Sequence, residues 1–568
     1  MKLVSKLGVA LFATAALIGS TQALAQEKLT VWWVKGFYKS EDDALYAAIK
    51  KYEDKTGVKV ELSQYPVQDM IPKTVAALDA GTPPDVAYAD VYDFQVAGKW
   101  AFDGKLEDIS DIMAPMKDKF LKNTIETTYL YNDKTKKKAY YAFPLKQQTM
   151  HIQYWKDMLG EAGFKESDIP TQWKAYWDFW CDKVQPAHRS KTGKRTYAIG
   201  QPMGVDSSDS FYSFLTFMDA YNVKLVDDNG KLLVDDPKVK QGLVNALRDY
   251  TSIRTRGCTP PSSTSWKDPD NNVAFHNKTI LVTHNATISI AAKWLDDADK
   301  AALNAGQRAQ AKKNYEELIA TAGFPNKPDG SKMVYRAAVK VGVIFEASEN
   351  KRRAKEFVQF LMQDENLQPY VEGALGRWFP VTISGTKSAF WQTDPHRKAV
   401  FNQFGAGTVT FEFTKNYKFT VLNNENVWAK AMSRVVNDNV PVEKAVDEMV
   451  VRTVKHFGGL DILVNNAAGN FICRAEDLSP NGWNAVIGIV LNGSFYCSRA
   501  AGQYMIASKR GGSIVSILAN YVWTGSPGTI HSAAAKAGVL ALTRTLAVEW
   551  ARHGIRVVSV LVARWPVG

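Results

Sequence analysis

The sequence of 568 residues is poor in the features that would assign a metal site or a hydrolytic centre. It contains four cysteines, and none of them has the spacing of metal ligands. Residues 1–450 contain no nucleophile elbow, no His-Glu-x-x-His segment and no carboxylate pair whose context marks it for acid–base work. We therefore expect no metal and no catalysis there, with a glycosidase that uses two carboxylates on separate loops as the open alternative.

Long apolar runs and long basic tracts are also missing. The apolar stretch Leu7–Ile18 is shorter than the roughly 20 residues that span a bilayer, so no membrane span is expected. No Lys/Arg run is longer than Lys136–Lys138, which is typical of a solvated turn. Much of the net charge of +12 lies late in the chain, since 11 Lys and Arg stand against 4 Asp and Glu from Val451 onward. We expect no nucleic-acid partner.

The first 25 residues have the pattern of an export signal. Lys2 and Lys6 flank the start of the apolar stretch, and Ala23-Leu24-Ala25 supplies small residues before Gln26. The pattern predicts a signal peptide over residues 1–25 and a periplasmic product. The alternative is a buried N-terminal helix.

The cysteines divide between two regions of different character. Cys181 and Cys258 lie in the region predicted to be exported, where an oxidising compartment permits a disulfide. The sequence leaves open whether they are bridged, because it does not show their Cα atoms close together. Cys473 and Cys497 lie in a later region that is typical of cytosolic proteins.

Strand and helix patterns alternate from Lys28 onward. The predicted strands are Leu29–Val34, Val58–Leu62 and one opening at Asp85–Tyr88, and the predicted helices are Asp42–Thr56 and Asp69–Ala80. This rhythm predicts an α/β fold with a mostly parallel sheet. Ligands of such sheets lie beyond the carboxyl ends of the strands, so the loops Lys35–Lys39 and Ala89–Phe94 are the first candidates for a site.

Several phrases then carry a family resemblance over about residues 1–448. They include "LTVWWVKGFYKSEDDALYAAIKKYEDKTGVKVEL", "PDVAYADVYDF", "AYYAFPLKQQTMHIQYWKDMLGEAGF", "NKRRAKEFVQFLM" and "GRWFPV". In order and spacing they resemble the family 1 extracellular solute-binding proteins of ABC importers. The resemblance implies two α/β lobes around a ligand cleft and delivery to membrane permease subunits. We expect lobe I at about residues 26–144 and 336–380 and lobe II at about 145–335 and 381–450.

A sugar or polyol ligand requires aromatic platforms and planar polar side chains. The candidate ligand-binding residues are Trp33, Lys35, Phe37, Asp90, Tyr92, Asp93, Gln147, Gln148, Tyr154, Asn285, Arg377 and Trp378. His284 and Asn285 are expected at a strand-to-helix turn. Trp33 and Tyr154 have a second interpretation as core aromatics, and Asp90 and Asp93 as helix caps. The expected binder is a monomer without a cofactor.

Residues 451–568 have a different α/β pattern. Predicted strands are Leu460–Val464, Ser513–Leu518 and Ile555–Val560, and predicted helices are Asn481–Lys509 and His531–Arg552. This pattern predicts a partial Rossmann-like βαβαβ unit with three parallel strands. The phrases "LDILVNNAAGNF", "GGSIVSI", "SAAAKAG" and "LAVEWARHGIRV" resemble the short-chain dehydrogenases/reductases.

Within that family the segment is similar to the 2,4-dienoyl-CoA reductases. Lys536 follows Ser532 by four residues where most members have a tyrosine, while Tyr521 and Asn492 fit the subgroup. The resemblance implies that Tyr521 and Asn492 engage the thioester substrate and that Ser532 and Lys536 act on the cofactor side. It also implies cofactor contacts from Asn465, Ala467, Gly469 and Lys536. Alternatives are a surface role for Lys536 and a loop-anchoring role for Tyr521.

The region just before Leu460 lacks the glycine-rich turn that binds a pyrophosphate. From this we expect that the chain is not an enzyme and that its last part is a truncated, inactive fragment, with NADP or NAD bound only if it were functional. Val442, Ala445, Val446, Met449, Val450, Val454 and Phe457 predict one amphipathic helix across the junction. We interpret the chain as an accidental fusion; the alternative is a real bifunctional reductase.

Overall fold

The structure is a computed structural model that describes residues 28–205, 207–234, 236–286, 288–446, 448, 462–466, 469–509 and 511–562. It contains two compact units, Met1–Val451 and Arg452–Gly568. The expected signal peptide, most of the junction helix and the candidate Ala467 lie outside the described residues.

The strands follow a simple chain order. In the first unit they are β1 (Lys28–Val34), β2 (Lys59–Tyr65), β3 (Val86–Tyr88), β4 (Tyr129–Asn132), β5 (Lys137–Tyr140), β6 (Phe143–Gln148), β7 (Met150–Trp155), β8 (Tyr197–Gly200), β9 (Ile280–Ala286), β10 (Ile319–Ala322), β11 (Tyr335–Arg336), β12 (Ala338–Ile344) and β13 (Thr408–Val409). In the second unit they are β14 (Ile462–Asn465), β15 (Gly512–Ala519) and β16 (Ile555–Val562).

The α-helices cover the sheets. In the first unit they are α1 (Lys39–Thr56), α2 (Val67–Ala80), α3 (Gly98–Phe102), α4 (Ser110–Met113), α5 (Lys122–Thr128), α6 (Lys156–Glu161), α7 (Trp173–Asp178), α8 (Gln185–Thr192), α9 (Ser208–Ala220), α10 (Pro237–Thr255), α11 (Asp270–His276), α12 (Ser289–Asp299), α13 (Ala305–Lys313), α14 (Lys351–Leu361), α15 (Asp364–Glu372), α16 (Ile383–Thr386), α17 (Pro395–Gly405), α18 (Lys418–Glu425) and α19 (Val427–Val436). In the second unit they are α20 (Pro480–Val486), α21 (Gly493–Ser508), α22 (Tyr521–Thr524) and α23 (Ile530–Trp550).

Lobe I is built on a five-stranded sheet in the order β2-β1-β3-β12-β6. Strands β1, β2 and β3 are parallel, and β12 runs antiparallel to both of its neighbours. In β1 the alternating residues Leu29, Val31 and Trp33 are fully buried, as the period of two in a strand requires. The carboxyl ends of β1, β3 and β6 therefore meet the start of β12 at one edge of the sheet.

Lobe II has a four-stranded sheet in the order β10-β7-β9-β8. Strand β6 of lobe I ends at Gln148 and β7 of lobe II begins at Met150, so the chain first crosses at Thr149. The expected crossing near residue 145 is therefore a few residues early. His284 and Asn285 lie inside β9 and not in the turn after it, because the strand continues to Ala286.

The second unit has three parallel strands in the order β14-β15-β16. One sheet face packs on the helices through a core that includes Met505, Ile514 and Leu546. The predicted helix Asn481–Lys509 is interrupted, because a π-helical segment, Ile487–Asn492, separates α20 from α21. Such segments arise from hydrogen-bond register and carry no simple sequence signal.

Candidate functional site

The two lobes of the first unit meet at the edge where β1, β3 and β6 end. Lys340 in β12 donates to the Tyr212 hydroxyl of α9 at 2.9 Å, and the Tyr38 hydroxyl donates to the Ser289 carbonyl of α12 at 2.9 Å. The rings of Phe94 and Phe211 stack with their centroids 5.2 Å apart. These contacts link lobe I to lobe II and close the cleft at this point.

Lys146 forms the buried centre of the lobe I wall. Its ammonium donates to Glu41 and lies 3.2 Å from the Tyr370 hydroxyl and 3.7 Å from Asp90 Oδ1. Lys146 and Glu41 are both buried, and Tyr370 in turn accepts a hydrogen bond of 2.9 Å from Trp33 Nε1. Burial of such charges is tolerated because each has an opposite partner.

A second buried pair lies beside the lobe contact. Lys340 Nζ is 3.3 Å from both carboxylate oxygens of Asp93. Burial raises the pKa of Asp93 to about 6, although Lys340 opposes that shift. Burial also lowers the pKa of Lys340 against the opposing effect of Asp93.

Arg377 and Trp378 lie between these two pairs. Arg377 Nη2 is 3.4 Å from Asp90 Oδ2, and its guanidinium lies 5.0 Å from the Phe37 ring centroid and 4.3 Å from that of Trp378. Although burial alone would raise it, the pKa of Asp90 is held below its usual value by Lys146 and Arg377.

The indole of Trp378 is surrounded by cations. Lys146 Nζ lies 4.5 Å and Lys340 Nζ 5.9 Å from the ring centroid, within the range of cation–π attraction. The side chain is buried, yet its Nε1 has no hydrogen-bond partner among the described residues. Other buried tryptophans, such as Trp391, share this feature, so the Trp378 N–H is a candidate ligand contact because of the charged groups around it.

Gly376, which precedes Arg377, allows the two lobes to approach closely. Gly376 has a φ of 92°, and a Cβ there would lie 2.7 Å from Ile288 Cδ1 of lobe II. A larger residue would strain the backbone and collide with the opposite lobe. The position of Arg377 in the cleft therefore depends on its glycine neighbour.

The lobe II wall carries two carboxylates at the start of α9. Asp268 accepts hydrogen bonds from Ser207 Oγ (2.5 Å), Ser208 N (3.1 Å) and Asp209 N (3.1 Å). Burial and the charge of Asp268 raise the pKa of Asp209 well above its ordinary value, while Arg377 and Asn271 lower it. Arg377 therefore acts electrostatically on carboxylates of both lobes.

Five of the predicted ligand residues come together in this cleft, namely Phe37, Asp90, Asp93, Arg377 and Trp378. Others have polar groups that are engaged by the protein. Tyr92 bonds to Thr74 at 2.5 Å, Gln147 donates to the Pro380 carbonyl at 2.7 Å, Tyr154 donates to Glu166 at 2.6 Å, Trp33 donates to Tyr370 and Asn285 donates to Asn272. Lys35 is exposed and Gln148 is buried. A ligand role for any of them stays a prediction.

Sequence reasoning missed the cleft residues that lie inside secondary structure. Lys146 and Lys340 each interrupt an apolar strand, in "FPLKQQ" and "AAVKVGVIF", and both strands are buried along their whole length. A lysine in a buried strand requires a charged partner, which is a signal that could have identified them. Tyr212 and Asp209 carry no such signal, because the packing of lobe II on lobe I places them. Glu41 carries none either, because its partner Lys146 is distant in the sequence.

The structure joins Cys181 and Cys258 by a disulfide with Cα atoms 5.3 Å apart. The bridge links the π-helical segment Phe179–Val184 to the turn after α10 and lies within lobe II. Cys473 and Cys497 are not bonded.

A separate cavity of about 930 Å³ lies in lobe II. Its wall includes Trp173, Arg256 and Asp249. Trp173 Nε1 donates to Asp249 at 2.9 Å, and Arg256 pairs with Asp178 at 2.9 Å and Asp182 at 2.6 Å. Since these groups satisfy one another, the inter-lobe cleft is the better candidate. Within the described ranges, no helix is long and apolar enough to cross a bilayer and no three His, Cys, Asp or Glu residues form a metal-binding group.

The second unit brings together three of the predicted catalytic residues. The hydroxyls of Tyr521 and Ser532 lie 2.8 Å apart, and Lys536 Nζ donates to the Ile517 carbonyl at 2.6 Å. Burial lowers the pKa of Lys536. Asn492 ends the π-helical segment and is exposed, and Gly469 is partly exposed.

Asn465 ends β14 and donates to Ser498 Oγ at 2.8 Å and Ser516 Oγ at 3.3 Å. Lys536 contacts β15 near its carboxyl end, which is where open α/β sheets bind nucleotides. The residues present therefore lie at the edge of the sheet where a dinucleotide would bind.

Both parts of the chain match known families. Residues 47–399 match the family described as bacterial extracellular solute-binding protein, and residues 418–563 match the short chain dehydrogenase family. Both sequence resemblances and the α/β fold class are confirmed. The family match indicates an extracytoplasmic location.

Solved structures of sugar-binding proteins share the fold of the first unit. A solute-binding protein from Thermotoga lettingae, described as bound with alpha-D-tagatose, has a TM-score of 0.59 and 19% identity and covers 76% of this chain and 99% of its own. A T. maritima protein described as maltose-bound MalE3 has a TM-score of 0.58 and 18% identity, with 76% and 100% covered.

Curated relatives of the second part are 2,4-dienoyl-CoA reductases. A probable enzyme of this name from Bacillus subtilis is 58% identical over 119 residues, which are 21% of this chain and 47% of the relative. A peroxisomal enzyme of this name from Arabidopsis thaliana is 47% identical over 128 residues, which are 21% of this chain and 42% of the relative. The chain spans about half the length of the curated relatives it matches, or somewhat less.

These matches correct one expectation. The sequence-based prediction that the chain is not an enzyme, with a last part lacking its nucleotide-binding half, is wrong. The short chain dehydrogenase match begins at residue 418, ahead of the expected boundary at 451, and the 58% identity points to an oxidoreductase.

Proposed function

The chain belongs to the bacterial extracellular solute-binding protein family, and on that basis we propose that residues 26–450 are the periplasmic substrate-binding component of an ABC importer for a carbohydrate or related polyol. The observation that carries the proposal is the cleft in which buried Trp378, whose Nε1 has no hydrogen-bond partner among the described residues, lies beside Arg377 and Asp90. An indole face suits a sugar ring, and its N–H suits a hydroxyl acceptor. The solved neighbours described with tagatose and maltose support the same ligand class.

The mechanism is closure of two lobes around the ligand. Ligand contacts formed only in the closed arrangement shift an open–closed equilibrium, and the membrane permease then receives the closed form. The hydrogen bond from Lys340 of lobe I to Tyr212 of lobe II supports this mechanism, because such a bond requires closure of the lobes. The binder acts as a monomer and uses no cofactor.

Calorimetric titration of the full chain with neutral hexoses, disaccharides and polyols tests the proposal. We expect one ligand class to bind with micromolar affinity or better, and Arg377→Met to weaken it at least about 10-fold by loss of its hydrogen bonds and ring stacking. Arg256→Met, in the separate lobe II cavity, is the matched control. Absence of binding by every sugar and polyol would overturn the proposal.

Export is proposed from the pattern of residues 1–25. Expression of the full chain in a bacterium followed by fractionation tests it, with Leu11→Arg as the variant that disrupts the apolar stretch. Periplasmic recovery of the wild-type chain and retention of the variant in the cytoplasm are expected. A cytoplasmic wild-type chain contradicts the proposal.

We propose a reductase acting on an unsaturated acyl thioester as a second candidate function, located in residues 451–568. The hydroxyl pair Tyr521–Ser532 beside Lys536 favours it, as does the identity with 2,4-dienoyl-CoA reductases. NADP or NAD would supply a hydride. Lys536 and Asn465 would hold its nicotinamide side, and the Tyr521 hydroxyl would orient the thioester and hold a proton at its oxygen.

Two measurements on the full chain test this second function. NADPH fluorescence reports binding, and loss of NADPH absorbance with a 2,4-dienoyl-CoA reports turnover. Lys536→Ala should weaken NADPH binding, whereas Tyr521→Phe should lower turnover and leave that binding unchanged. Absence of NADPH binding by the wild-type chain rejects the function.

A further inference from the structure

Two segments that cross between the lobes run side by side. Strand β11, which leads from lobe II into β12 of lobe I, pairs in parallel with β13. Before β13, helix α17 is joined to lobe II by a hydrogen bond of 2.8 Å between Thr321 Oγ1 and His396. After β13, Asn423 donates to the Phe94 carbonyl of lobe I at 3.2 Å. The two-stranded sheet β11–β13 therefore lies at the hinge between the lobes.

Arg336 of β11 connects three segments at this hinge. Its Nη2 and Nε donate to the two carboxylate oxygens of Asp219, near the end of α9 in lobe II, at 2.6 and 3.3 Å. Its Nη1 lies 2.9 Å from Glu412 Oε2 and 3.1 Å from the Thr410 carbonyl, both just after β13. The three charged side chains are each no more than 11% exposed, so solvent screens their attraction only weakly. Arg336 thus binds a lobe II helix to both crossing segments.

The position of Asp219 is unfavourable for its own helix. Asp219 is the next-to-last residue of α9, where the helix dipole opposes a negative charge. Aspartate also has a lower helix propensity than alanine. The carboxylate therefore does not stabilise α9 itself, and its favourable interaction is the paired contact with Arg336.

Helix α9 contacts the same crossing segment twice. Its Tyr212 accepts from Lys340 of β12 at the cleft, and its Asp219 accepts from Arg336 at the hinge. The two helix residues are about two turns apart, or roughly 10 Å, and the two strand residues are roughly 13 Å apart on one side of the extended chain. The helix therefore lies along the strand in the opposite direction. The hinge contact can persist when the lobes separate, whereas the cleft contact cannot.

We propose that Arg336 is a positioning residue for lobe closure, because it fixes the hinge end of α9 through Asp219 and so directs Tyr212 of the same helix onto Lys340. The inference rests on the proposed mechanism of lobe closure and assigns a role in it to a residue outside the ligand cleft. A lysine would not replace Arg336, since a single ammonium does not present the planar fork that binds Asp219 through two donors.

A double-mutant cycle in the full chain tests the inference. Asp219→Ala removes the hinge contact of α9, retains a good helix former and leaves Arg336 paired with Glu412. Energy transfer between dyes on the two lobes measures closure without ligand, and calorimetry with glucose, maltose and glucitol measures affinity. We expect a smaller closed fraction and about 5-fold weaker binding or worse. In the Tyr212→Phe chain the same substitution should weaken binding less than about 2-fold, because the contact through which Arg336 acts is already lost.

Asp178→Ala is the matched control, because Asp178 also ends a lobe II helix but pairs with Arg256 inside lobe II at 2.9 Å. It should leave closure and affinity unchanged. Denaturant unfolding checks that each variant folds, and Asp219→Asn, which keeps the side-chain shape, enters the cycle if Asp219→Ala does not. Unchanged closure, or an equal loss with and without the Tyr212 hydroxyl, would overturn the inference. If no compound binds the wild-type chain, the proposed carbohydrate function fails, while the closure measurements still decide the role of Arg336.

Discussion

The Lys340 ammonium lies 2.9 Å from the Tyr212 hydroxyl, and the contact connects the central region of the lobe I sheet to a lobe II helix. Asp93 holds the same ammonium from the lobe I side at 3.3 Å. The Lys340–Asp93 pair can persist when the lobes separate, whereas the bond to Tyr212 cannot. The hydrogen bond to Tyr212 therefore stabilises only the closed arrangement of the lobes.

Tyr212→Phe should favour the open arrangement. A hydrogen bond from a charged donor contributes about 1.5–3 kcal/mol, and its loss from the closed form should weaken ligand binding at least about 10-fold. The ring contacts with Phe94 and Phe411 should remain. Energy transfer between dyes on the two lobes measures closure, and calorimetry measures affinity.

Tyr250→Phe is the matched control for that change. The Tyr250 hydroxyl donates to the Pro202 carbonyl within lobe II, so its removal should alter stability and leave closure unaffected. If the two variants close equally well, the contact with Lys340 has no role in closure.

The variant Trp378→Phe should show whether the indole N–H of Trp378 contributes to ligand binding, separately from the packing of its ring. The variant keeps an aromatic ring beside Lys146 and Arg377 but loses the N–H that has no partner among the residues the structure describes. We expect ligand affinity to fall about 5- to 10-fold, in line with one lost hydrogen bond. Calorimetry measures affinity, and denaturant unfolding measures stability.

Trp391→Phe provides the comparison, because Trp391 is also buried with an unpartnered Nε1 but packs on Phe379 and Phe390. It should leave ligand affinity unchanged. Equal affinity losses in the two variants would mean that the N–H of Trp378 does not meet the ligand.

Much of the fold follows from local patterns in the sequence. The strand expected at Leu29–Val34 is Lys28–Val34, and the helix expected at Asp69–Ala80 is Val67–Ala80. Alternating burial and helical periodicity determine such elements directly. The π-helical segment Ile487–Asn492 was missed because it depends on a local shift of hydrogen-bond register.

The residues of the candidate site were harder to predict from the sequence than the strands and helices. Asp90 was identified because it follows a strand, and Arg377 because it stands between a glycine and a tryptophan. Asp209 and Tyr212 were missed, since their role depends on the approach of a helix from the opposite lobe. Tyr92 lies in an expected loop, but its ring packs on Trp100 at 5.1 Å in the lobe I core, a placement that loop position does not determine.

Removal of the lobe II disulfide should lower stability. Cys181 and Cys258 are separated by 77 residues, and a loop of that size corresponds to about 4 kcal/mol of unfolded-state entropy. The double variant Cys181→Ser/Cys258→Ser should have a free energy of unfolding lower by about that amount. Its unfolding should therefore occur at a lower denaturant concentration. Cys473→Ser/Cys497→Ser is the control, because neither residue is bonded. Equal unfolding of both double variants would mean that the bridge does not stabilise the chain.

His284 should make the stability of the first unit depend on pH. Neither ring nitrogen has a hydrogen-bond partner within the described part of the chain, and the ring lies among Trp177, Phe217 and Phe324. Burial lowers its pKa to about 3 from the ordinary 6.5. The unfolded chain therefore binds the proton first, so the stability is fully present above pH 6.5 and is lost as the pH falls from 6.5 toward 3.

His284→Phe should flatten this dependence, because phenylalanine fills a similar volume among the same rings and binds no proton. Each pH unit inside the window corresponds to about 1.4 kcal/mol, so the variant should gain roughly 2 kcal/mol relative to the wild-type chain between pH 6.5 and pH 5. Urea unfolding of both proteins at half-unit steps of pH measures the difference. His151 and His276, with pKa values lowered by burial to about 4, should leave a residual slope in the variant. Parallel curves for the two proteins would show that His284 is already protonated, or solvated, in the folded chain.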